Sequence, residues 1–154
     1  QTVRKLGQQV EEILKVASCL GSEFDEYLLH DIFDNSVDLP EALMVAQENE
    51  FLFVDAHTGN IRFFHDKIQQ ACYSLIPLQD RPKFHLDLGR TLWNNSSSED
   101  IAMNVFLIID QLRMGVSLVD EEDEKIRMAA LCLRAGEQAS RSSAFIAAGK
   151  YVDM

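Results

Sequence analysis

Two dipeptides in this chain set an imidazole beside a carboxylate: His65-Asp66 and His30-Asp31. His65-Asp66 stands where a run of β-forming residues hands over to a helix-forming one. The unpaired amides of a helix start, with an imidazole beside them, make a resting place for a phosphate. The plainer reading is that Asp66 caps the helix and His65 is a junction residue. Together the two pairs also fit a metal-dependent phosphohydrolase of the His-Asp type, with His30, His65 and Asp66 as ligands. Cys19, Cys72 and Cys132 each fall in an apolar helical context, which predicts buried, inert thiols. Nothing specific pairs Cys72 with His65 or His85 as a nucleophile. His85 and Trp93 share one amphipathic stretch and read as packing or surface residues. Gly149-Lys150 is the only Gly-Lys, and Tyr151 follows it, so the phosphate loop GxxxxGK[ST] is absent.

These residues must be held by elements that the hydrophobic pattern lays out. Val3, Leu6, Val10, Ile13, Leu14, Ala17 and Leu20 recur three and four apart, predicting a helix over residues 2–20 that Gly21 ends. A short second helix opens at Phe24-Asp25 and turns Leu28, Leu29, Ile32 and Phe33 inward. Asp38-Leu39-Pro40-Glu41 is a capping box with proline in the first turn, so a third helix runs to about Asn49. Phe51–Val54 and Ile61–Phe64 flank the turn-prone His57-Thr58-Gly59-Asn60 and read as a β-hairpin. Three helices followed by a two-stranded hairpin is the element order of a winged helix.

Asp66 then opens a fourth helix that reaches Leu75, before Pro77 breaks the chain. A fifth, capped by Asp80, runs to about Trp93. Asn94 and Asn95 head two glycosylation sequons, which carry no meaning in a cytosolic protein. A sixth helix starts at Glu99-Asp100 and stops at Gly115. The acidic run Asp120–Glu124 reads as a solvated helix start, with Glu121/Lys125 and Asp123/Arg127 as four-apart pairs. Farther on, Ala135, Ala139, Ser143 and Ala147 form a ladder of small residues that lets a second helix approach closely. The fold class expected is mainly α: a winged-helix domain over residues 1–76, then a helical, TPR-like region over residues 77–154 that leads into paired-helix repeats.

Composition narrows the function. Of 154 residues, 47% are hydrophobic, which excludes disorder, and the net charge is −11. Nucleic acid and anionic membrane surfaces would require a basic face. Between Val16 and Ile61 there are ten acids and no Lys or Arg. The third helix, which reads DNA in a DNA-binding winged helix, therefore has no base to meet phosphate. We expect no DNA partner. No apolar run approaches the ~20 residues of a membrane span, so we expect no membrane partner either. Three cysteines without a CxxC point to a reducing, cytoplasmic setting. The chain does not begin with Met and stops inside a helical pattern, so we expect a piece of a longer protein.

The run Phe63-Phe64-His65-Asp66-Lys67-Ile68-Gln69-Gln70-Ala71-Cys72-Tyr73-Ser74-Leu75-Ile76-Pro77 resembles a segment of the signal-transduction ATPases with numerous domains. It is most similar to the ATPase-like region of hybrid sensor kinases, in which Ser/Thr-kinase-like, P-loop ATPase, helical-repeat, GAF and histidine-kinase regions share one polypeptide. Ile13–Asp25 resembles the stretch that follows the ATPase core there. Phe84–Arg90 and Leu131–Ala139 resemble later stretches, the last of them opening the helical repeats. The resemblance covers about residues 8–151. It implies a non-catalytic regulatory segment that packs on a P-loop ATPase domain and passes its nucleotide state to the downstream repeats. His65 matches the histidine of a Met-His-Asp-like motif that reaches the phosphate of bound ADP, with Phe64 in place of Met. Asp66 matches the adjacent structural aspartate, the helix cap. ADP or ATP with Mg would be held by the intact parent protein, and no cofactor or metal by this segment. No catalytic residue is assigned. The alternatives are a helical protein-interaction adaptor without a nucleotide role and the His-Asp phosphohydrolase.

Overall fold

The computed structural model describes the backbone of residues 2–152 and the side chains of residues 6–143 and 146. Val3, in the expected first helix, and Ala147, the last rung of the small-residue ladder, lie outside the described side chains. The mainly helical expectation holds, with a small sheet set among the helices.

Helix α1 (Thr2–Cys19) turns Val10, Ile13, Leu14 and Ala17 into the core, and Gly21 follows at a φ of 102°. That left-handed backbone suits glycine and explains why the helix stops where the sequence placed its end. The chain then makes a two-residue strand, β1 (Glu23–Phe24), before helix α2 (Glu26–Phe33). Asp25 caps α2 by accepting the Tyr27 amide at 2.9 Å. Helix α3 (Leu39–Glu48) starts as its capping sequence requires, with Asp38 accepting from the Glu41 amide.

Strands β2 (Leu52–Val54) and β3 (Ile61–Phe63) form the expected hairpin, with Phe53 opposite Arg62. The sheet has three antiparallel strands rather than two, in the order β1-β3-β2. Glu23 explains the addition: its carboxylate accepts from the Thr58 hydroxyl at 3.1 Å and from the Asn60 side-chain amide at 3.0 Å. Two loop residues of the hairpin thus hold β1 beside β3. Within the loop, Asp55 accepts from the His57 and Thr58 amides, and those bonds hold its carboxyl below the usual range.

Helix α4 (Asp66–Ser74) follows β3 directly. A 3-10 turn at Leu78–Asp80 leads into α5 (Arg81–Asn95), and Asp80 makes no side-chain cap there. The single long helix expected over residues 99–115 is two: α6 (Ser98–Met103) and α7 (Val105–Met114). They part at Asn104, whose side-chain amide donates to the Asp100 carbonyl at 3.1 Å and competes with the helix for that acceptor. Ser97 caps α6, its hydroxyl accepting from the Asp100 amide. Helix α8 (Glu122–Val152) completes the described chain. Its acidic first turn pairs differently from expectation. Lys125 meets Glu122 at 3.4 Å, and Glu124 reaches across to Arg90 on α5.

One continuous apolar core runs from Val10 to Ala135 and draws buried residues from the sheet and from every α-helix except α6, whose half-buried Ile101 packs against it. Within it α1 packs on α3 and α4, α2 packs on α5, and α5 lies along α7. Gly89 and Gly115 permit that last approach. A Cβ on Gly115 would stand 2.3 Å from the Pro82 carbonyl oxygen and 2.6 Å from Leu86 Cβ. On α8, Met128, Leu131 and Ala135 are buried, whereas Ala139 and Ser143 are exposed.

Candidate functional site

The junction between β3 and α4 is short because His65 has both roles there. Its backbone is extended, at φ −155° and ψ 147°, and its side chain caps the helix. Nδ1 of His65 accepts from the Lys67 amide at 3.0 Å. The expected cap, Asp66, is instead the first residue inside the helix, where a carboxylate favours the positive end of the helix dipole. The sequence reading thus placed the cap one residue too late, since histidine is an uncommon cap and aspartate a frequent one.

This geometry fixes the chemistry of the ring. With Nδ1 accepting, a neutral imidazole carries its proton on Nε2. Nε2 then stands as a donor without a hydrogen-bond partner among the described residues, on an exposed side chain. The open cradle of amides that the sequence implied is partly filled. The Lys67 amide goes to His65 itself, and the Ile68 and Gln69 amides return to the His65 carbonyl. An anion here would meet Nε2–H, with the exposed Asp66 carboxylate and Lys67 ammonium as the neighbouring charges in sequence.

The surroundings are aromatic. Phe64 is exposed, and its ring lies 5.1 Å from that of Phe53. Arg62 stands 6.0 Å from the Phe53 ring centroid and pairs with Asp55 at 3.4 Å. Phe51 and Val54 are exposed on the same hairpin. A histidine donor next to solvent-facing aromatic rings is a surface suited to contact with another domain.

The remaining candidates are not gathered into this site. His30 pairs with Glu26 at 3.8 Å on the surface of α2, and its ring lies 6.3 Å from Tyr27. Among the described residues, no group of three His, Cys, Asp or Glu is placed to hold a metal ion. The reading of His30, His65 and Asp66 as a ligand set is therefore corrected. The thiols also divide. Cys72 is buried, and desolvation raises its pKa. Desolvation likewise pushes the Cys19 thiol up to about 11. Cys132 is exposed, against expectation, because it lies one position round the helix from the buried Leu131.

A second constellation went unread in the sequence. Tyr73 Oη lies 2.9 Å from His85 Nε2, and His85 Nδ1 lies 2.7 Å from Gln111 Oε1. Gln111 Nε2 donates to the Cys19 carbonyl at 2.9 Å. Arg81 stacks 4.5 Å above the Tyr73 ring and donates to the Ile76 carbonyl. His85 and Gln111 are both buried. The only sequence signal was a histidine and a glutamine on the apolar faces of two helices.

Comparison with known proteins adds one relative. The hybrid signal transduction histidine kinase G of Dictyostelium discoideum is 24% identical over 203 residues, a match covering 98% of this chain. This chain is similar to a segment of a signalling protein. It spans about 6% of the length of that relative. No family model and no solved structure matches it. Among the described residues, no helix is long and apolar enough to cross a membrane.

Proposed function

We propose that this chain is a non-catalytic regulatory segment of a multidomain signalling ATPase or sensor kinase. In this reading a winged-helix module couples the nucleotide state of a neighbouring P-loop domain to helical repeats. The observation that carries it is His65: an exposed imidazole locked by its own helix cap, with its Nε2–H turned outward beside an aromatic surface. The order α1-β1-α2-α3-β2-β3 and the β1-β3-β2 sheet support the winged-helix assignment. The likeness to a histidine kinase segment supports a signalling role.

Nucleotide would sit in the neighbouring domain, with ADP or ATP and Mg bound there. From this chain His65 Nε2–H donates to a phosphate oxygen, and Phe64 and Phe53 cover the adjoining surface. A charge-assisted hydrogen bond of this kind is worth about 1.5–3 kcal/mol. That suffices to bias a closed state against an open one if the contact exists only in the closed state. The long helix α8, with small residues on its exposed continuation, supports docking of helical repeats beyond it. No DNA partner is assigned, because α3 carries Glu41 and Glu48 and no base. Three unpaired thiols fit a reducing, cytoplasmic location.

The test is calorimetry of ADP binding to the parent protein, comparing wild type with His65→Ala. Weaker ADP binding by the variant supports the sensor. Binding unchanged by the substitution leaves His65 as a cap alone.

A helical interaction adaptor is the second reading. It is favoured by a half-open apolar groove of about 280 Å³ between α7 and α8, lined by Ile109, Leu112, Val116 and Met128.

A further inference from the structure

The last turn of α1 leaves carbonyls that no helical amide can satisfy. Two glutamines from distant helices take them. Gln69 of α4 donates to the Ser18 and Gly21 carbonyls, at 3.2 and 3.0 Å, and Gln111 of α7 donates to that of Cys19. Tyr73 of α4 then closes the circuit through His85 of α5 to the other end of Gln111. Four helices are thus joined in a ring of hydrogen bonds. Its donor order is set from one end. Gln111 spends its amide on Cys19, so its oxygen must accept, and His85 Nδ1 must donate. His85 Nε2 is then the acceptor for the Tyr73 hydroxyl. No buried side-chain nitrogen or oxygen among the described residues lacks a partner.

We infer that Tyr73, His85 and Gln111 form the rod through which a displacement of α4 reaches α7. The input end is His65, which caps α4 eight residues before Tyr73, about 12 Å along the helix. The output end is α7, which packs against α8. A buried polar group left unpaired costs more than its bond contributes, so the linked side chains move together instead of separating. The three are positioning residues, acting through α4 and α7 and touching no ligand. As a route for a nucleotide signal the inference rests on the proposed role of His65, but the linkage itself is testable without nucleotide.

The experiment is NMR on this chain. His65→Ala serves as the perturbation, because it removes the cap of α4 without touching the rod. The ¹⁵N shifts of His85 should report a proton on Nδ1, and an Nε2–H tautomer overturns the assignment. In the wild-type background, His65→Ala should shift the Gln111 side-chain amide and the backbone amides of α7. In a Tyr73→Phe background, which keeps the ring and removes one hydroxyl, those shifts should be lost. In a Gln69→Leu background, which cuts the hydrogen bonds of α4 to the end of α1, they should persist. Shifts that survive Tyr73→Phe, or that never appear in the wild-type background, overturn the rod. If Tyr73→Phe does not fold, Gln111→Met cuts the same rod at its far end, and the expected reading is then loss of the shifts in α7 while His85 Nε2, still bonded to Tyr73, continues to respond. Failure of ADP to bind the parent protein would remove the sensor and leave the rod standing.

Discussion

His85 and Gln111, 26 residues apart in the chain, meet through a 2.7 Å hydrogen bond in the interior where α5 lies along α7. Gln111→Leu removes the acceptor for His85 Nδ1–H and the donor to the Cys19 carbonyl together. Each buried group left unpaired costs about 1–3 kcal/mol. We expect Gln111→Leu to lower unfolding free energy in urea by about 2 kcal/mol or more. A variant as stable as wild type would show that water replaces both bonds.

Gly115 is required for proximity, since its φ is −118° and any residue adopts that backbone. A methyl group there meets the Pro82 carbonyl, which cannot rotate away. Gly115→Ala should lose about 1–3 kcal/mol by overpacking. Gly89→Ala should lose less. Its added methyl meets the flexible Leu112 side chain at 2.9 Å, and alanine is the better helix former. Thermal melts of the two variants side by side provide the check.

Arg90 and Glu124 form a two-pronged ion pair, at 2.7 and 3.0 Å, that clips α5 to the first turn of α8. The hydrogen bond from Arg90 holds the Glu124 carboxyl below its ordinary value of 4.5. A depressed folded-state pKa means that the contribution is present above 4.5 and is lost as pH falls through the folded value. The Arg90 side chain is 38% exposed, so solvent screening keeps the pair to about 1 kcal/mol or less. Glu124→Gln should lower stability by that amount at pH 7 and by nothing at strongly acid pH. Chemical denaturation across pH reads the convergence.

The thiols should react in a set order. Cys132 is exposed, whereas burial raises the pKa of both Cys19 and Cys72. Only thiolate attacks a disulfide reagent, so Cys132 should label fast and the other two should label only as the chain opens. Cys132→Ser should abolish the fast phase. A fast phase that survives this change would place a second thiol at the surface.

At the head of α4, His65→Ala should cost about 0.5–2 kcal/mol by loss of the cap, and His65→Asn should recover most of it. The same pair of variants separates capping from sensing in the parent protein. Asparagine restores stability, yet its shorter side chain does not present a donor at the position of Nε2.

The amino-acid sequence by itself determined the hairpin and most of the helices, because each is written in local spacing; the break at Asn104 between α6 and α7 was not. Ile13, Ala17 and Leu20 recur at helical intervals, Gly21 breaks the pattern, and Asp38-Leu39-Pro40-Glu41 names its own helix start. It also marked the strand-to-helix junction at His65. Only the tertiary structure decided which of His65 and Asp66 caps, because that choice depends on where β3 leaves the chain as α4 begins. The third strand was invisible for a similar reason. Glu23-Phe24 is too short to show alternation and becomes a strand only when Thr58 and Asn60 hold it against β3. Cys132 lies in an apolar stretch, but its exposure follows from which side of α8 meets α7. Tyr73, His85 and Gln111 carry no shared spacing at all. A buried hydrogen bond links groups by distance in space, and a one-dimensional pattern records only the faces on which such groups lie.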